Sequence, residues 1–91
     1  MNYINELFEK LDKIWDGFTP EMTIEEDYID DEYATEAEKT IWAIMHECED
    51  NTRLFQRVMT NHGYSAYPTD QDSFGWLVGC VEKGDYKVSF G

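Results

Sequence analysis

Between Lys13 and Lys39 the chain has no lysine or arginine. Over all 91 residues it has seven, against twenty aspartates and glutamates, for a formal net charge of −13. This shortage of positive charge argues against direct contact with nucleic acid, because phosphates are neutralised by Lys and Arg. It argues against anionic membrane surfaces for the same reason. No apolar run approaches the roughly 20 residues that span a bilayer. The two cysteines, Cys48 and Cys80, are too few for a disulfide framework. Residues 1–15 are charged and amphipathic throughout, unlike a signal peptide. The expectation is a cytoplasmic protein with reduced thiols.

The chemistry-bearing motifs are also missing. There is no phosphate-binding loop, nucleophile elbow or dinucleotide fingerprint. His46, Cys48, His62 and Cys80 are metal-capable types, but no C-x-x-C or H-x-x-x-H pair exists, and His46 and Cys48 are two apart, so they point to different faces of a helix. The acidic run Glu26–Glu32 lacks the alternation and the central glycine of an EF-hand calcium loop. A catalytic Cys48 would need a histidine, a third orienting group and a pocket. The reading is a protein that is not an enzyme and holds no metal and no cofactor.

What the chain does have is apolar mass. It is 42% hydrophobic and 15% aromatic, with three Trp, six Tyr and five Phe, which is not a disordered composition. The length suits one domain spanning residues 1–91, with one compact core. Ile4, Leu7, Phe8, Leu11, Ile14 and Trp15 recur at helical spacing, and Glu6–Lys10 and Glu9–Lys13 are i,i+4 pairs. Asp16-Gly17 is a plausible stop. Residues 18–34 are ambiguous between a short helix and a pinned loop: Thr19-Pro20-Glu21 and Thr23 with Glu26 both read as helix openings. A second helix is expected from Thr35, with Glu38 at capping-box spacing. Its stripe runs through Ile41, Ile44, Met45, Cys48, Phe55, Val58 and Met59 to a stop at Gly63. The polar patch 49–52 allows a break, but the phase is kept across it, so a long, continuous or mildly kinked helix is favoured.

From Tyr64 the pattern changes. Pro68, Asp70 and Asp72 mark a loop. Trp76–Val81 is rich in strand-forming residues, and Tyr86, Val88 and Phe90 alternate with polar neighbours across a turn at Glu82-Lys83-Gly84-Asp85. The fold class is therefore α+β: an N-terminal amphipathic helix, a long second helix and a C-terminal antiparallel β-hairpin. Glycines at 75 and 79 within the apolar run mark a bulge or a close backbone approach. An exposed hairpin edge with Trp76 would suit pairing with an assembly partner or a second copy of this chain.

The functional candidate is the acidic run. Glu25, Glu26, Asp27, Asp30, Asp31 and Glu32 crowd eight positions, with Tyr28 and Tyr33 as aromatic anchors among them. Carboxylates so arrayed imitate the charge density of duplex DNA, about one phosphate per 1.7 Å of axis. They would attract a basic protein surface, such as that of a nucleic-acid-binding protein. In size, charge and the run Glu25–Glu32, the chain resembles the small acidic anti-restriction and anti-CRISPR inhibitors that phages and plasmids encode and that act as DNA mimics. The resemblance implies inhibition of a bacterial defence protein in the host cytoplasm. It implies no particular fold, because those inhibitors share none. Immunity proteins that cap basic nuclease toxins have a similar profile and are the alternative.

Overall fold

The computed structural model describes residues 2–68 and 79–90. Helix α1 (Asn2–Asp16) is followed by two short 3₁₀ turns, Pro20–Met22 and Glu25–Asp27. Then come α2 (Asp31–Glu47), α3 (Thr52–Asn61) and strands β1 (Ser65–Pro68), β2 (Gly79–Lys83) and β3 (Tyr86–Phe90). The class is α+β: helices packed with a three-stranded antiparallel sheet in the order β1-β2-β3.

The stripe expected on α1 is the one that is buried. Ile4, Leu7, Phe8, Leu11 and Trp15 are in the core, and Ile14 packs at its margin. Helix α1 packs on α2, which in turn covers β3, while α3 lies against β1. Lys10 reaches across the first of these contacts to Glu36 at 3.8 Å. Ala34, Ala37, Ile41, Ile44, Met45 and Cys48 form the buried face of α2; Phe55 and Met59 do so on α3. Val81 and Val88 pair directly across β2 and β3 and are fully buried. Cys48 belongs to this core, where burial pushes its thiol pKa up, helped by the charge of Glu47.

The long second helix is two helices. Glu49 and Asp50 both have φ of +56°, a left-handed conformation that ends α2 after its cap at Cys48. Asn51 then caps α3, its side chain accepting from the Leu54 N–H at 3.0 Å. A continuous helix would carry Phe55 about 10 Å further along the axis than Cys48. The break turns α3 back onto the sheet, and Phe55 meets Phe90 edge-on at 5.8 Å. Helix α2 also starts earlier than Thr35: its cap is Asp30, which accepts from the Glu32 N–H at 2.9 Å.

The hairpin is part of a larger sheet. Strand β1, in a stretch read as the start of a loop, pairs with β2 in the register Ala66↔Val81. The turn is tighter than expected. Glu82 and Lys83 belong to β2, and Gly84-Asp85 connect the strands, with Gly84 at φ +62°, the conformation that two-residue hairpin turns demand. Trp76, Gly75 and the rest of the expected strand before Gly79 lie outside the described residues.

Candidate functional site

The acidic run is divided by the fold into two pieces with different physics. Residues 30–32 begin a helix. Asp30 is its N-cap, and acids in a first turn sit at the positive end of the helix dipole, each stabilising by about 0.3–1 kcal/mol. Asp31 and Tyr33 are the first and third residues of α2. Glu32, between them, is exposed. Part of the acid crowding is thus explained by helix initiation.

Residues 23–29 make a closed turn. A Thr23↔Ile29 bridge ties its ends. The Ile24 N–H donates to the Tyr28 carbonyl at 2.6 Å, and the Asp30 N–H to the Met22 carbonyl at 3.0 Å. The anchor is Ile29, only 3% exposed. Its N–H donates to the Lys87 carbonyl at 2.9 Å, fastening the turn to the outer edge of β3. Thr23, read from sequence as a helix cap, instead donates its hydroxyl to the Pro20 carbonyl at 2.8 Å and closes the first 3₁₀ turn. Glu25–Asp27, Glu26 included, form the second 3₁₀ turn. Asp27 has a φ of +66°, a conformation that Asp tolerates better than most residues.

This turn holds Glu25 and Asp27 exposed, with Glu21 exposed on the turn before it. Among the described residues, none of the ion pairs involves Glu21, Glu25, Asp27 or Glu32. The pKa of Glu21 is lowered by its own backbone N–H and then by the Thr19 side chain. Ile24 is 54% exposed at the turn's start.

Tyr28 is half-buried, with the Lys87 ammonium 5.6 Å from its ring centre. Lys87 is also 4.0 Å from Glu82. Tyr28 therefore packs in part along the β3 edge, beside Lys87.

The structure adds one acid that the sequence did not group with the run. Asp85, in the β2–β3 turn, lines an open cleft of about 240 Å³ together with Pro20, Thr23, Asp27 and Tyr86. Only the docking of the hairpin beside the acidic turn brings the two aspartates to one cleft, so no local signal marks it. The hairpin edges are also accounted for in part: β1 pairs along β2, and the Tyr28–Ile29 segment pairs with β3. Among the described residues no group of three or more His, Cys, Asp or Glu side chains is placed to hold a metal ion. No helix among them is long and apolar enough to cross a membrane.

No family model matches this chain, and no curated protein or solved structure is significantly similar to it.

Proposed function

We propose that this chain is a binding protein for a basic macromolecular surface, and that it inhibits a nucleic-acid-binding protein, of the kind found in bacterial defence, by occupying the groove meant for nucleic acid. The observation that carries the reading is the acidic turn. Glu25 and Asp27 stand exposed and without a cation among the described residues, on backbone that is fixed by Ile29 in the core and by hydrogen bonds to Met22, Tyr28 and Lys87. Like charges held together destabilise a small protein with no internal return. Held on a fixed frame, they lose little conformational entropy on binding, and they steer a cationic partner toward the site. Glu21, Glu25, Asp27 and Glu32 are the contacts this reading favours, and Asp30 serves the helix.

The test is capture of partners from bacterial lysate at low and high salt, by wild type and by a Glu25→Gln, Asp27→Asn, Glu32→Gln variant. Duplex DNA is then added as competitor to the purified complex. The reading expects a nucleic-acid-binding protein that the wild type alone retains, that salt releases and that DNA displaces. Equal capture by both proteins sinks it and turns attention to the rest of the surface.

A further inference from the structure

We draw no further inference here: the strongest candidate, the open cleft between the acidic turn and the β2–β3 turn where Asp27 and Asp85 meet Tyr86, Pro20 and Thr23, carries nothing of its own, because two carboxylates on neighbouring turns, without a second observation that points to a ligand, belong to the acidic surface already described.

Discussion

Tyr64 is 1% exposed, yet its hydroxyl donates to Asp12 at 2.5 Å. The Lys83 ammonium lies 3.5 Å from the same carboxylate and 4.6 Å from the ring centre. Trp15 adds a hydrogen bond from its indole N–H to the Lys83 carbonyl at 2.9 Å, so this cluster ties α1 to the hairpin. Burial first, then the bond to Asp12 and the charges of Asp12 and Asp16, push the phenol pKa far above its ordinary value. Between the unfolded pKa of about 10 and the raised folded value, the native state holds a proton that the unfolded chain has lost. Stability from this group is therefore complete below about pH 10 and falls as pH rises beyond it. Tyr64→Phe should cost about 1–2 kcal/mol at neutral pH and flatten the loss of stability above about pH 10 in urea titrations. An unchanged alkaline slope would remove Tyr64 from the explanation.

The α2–α3 break offers a second residue-scale test. Asn51→Ala removes the α3 cap and should cost about 1 kcal/mol. Glu49→Gly relieves a left-handed conformation that costs an L-residue about 1–2 kcal/mol, offset by about 0.4–1 kcal/mol of extra entropy in the unfolded chain. The net expectation is a change between zero and a gain of about 1.6 kcal/mol, read from the urea midpoint. A loss would mean that the Glu49 side chain stabilises the break by more than its backbone costs.

At the scale of elements, the acidic turn is held by one buried side chain and a few backbone hydrogen bonds. Ile29→Val should cost about 1 kcal/mol, as small core truncations do. More telling is amide exchange. The N–H groups of Ile24, Ile29 and Asp30 are donors to Tyr28, Lys87 and Met22 and should exchange slowly, approaching the protection of β3. Free exchange at these three amides would show a loop that is ordered only on binding, and would cancel the pre-organisation argument. Neighbouring elements explain the fastening: Lys87 gives the turn its carbonyl and covers the Tyr28 ring, so β3 both completes the sheet and holds the candidate site.

Over the whole molecule, a net charge of −13 opposes compaction by self-repulsion, which salt screens over a Debye length of about 10 Å at 0.1 M. Wild-type stability should rise with salt. A Glu25→Gln, Asp27→Asn variant, which leaves Glu32 in the first turn of α2, should gain a few tenths of a kcal/mol at low salt, the scale of exposed charge interactions, and should respond less to salt. Asparagine is the proper replacement at Asp27 because it tolerates the left-handed backbone. A variant that is more stable but no longer binds would mark these charges as kept for function at the expense of stability. A variant that is less stable would show that they serve the fold.

By itself the sequence determined the elements whose signal is periodic and local. The α1 stripe, the buried face from Ile41 to Met59, the stop at Gly63 and the β3 alternation all follow from side-chain spacing, because burial of one face is what stabilises them. It also determined the charge. Where two local solutions cost nearly the same, it did not decide. Residues 49–52 suit an exposed helical turn as well as a cap, and the fold takes the break, which goes with the contact of Phe55 with Phe90 of the sheet. Strand β1 is too short to show a period and exists through its pairing with β2. Within the candidate site, the run of acids was legible as composition, but its division was not. Asp30 became a helix cap, Tyr28 folded under Lys87, and Asp85 arrived from the far end of the chain. Those assignments come from contacts between elements distant in sequence, which only the packed tertiary structure creates.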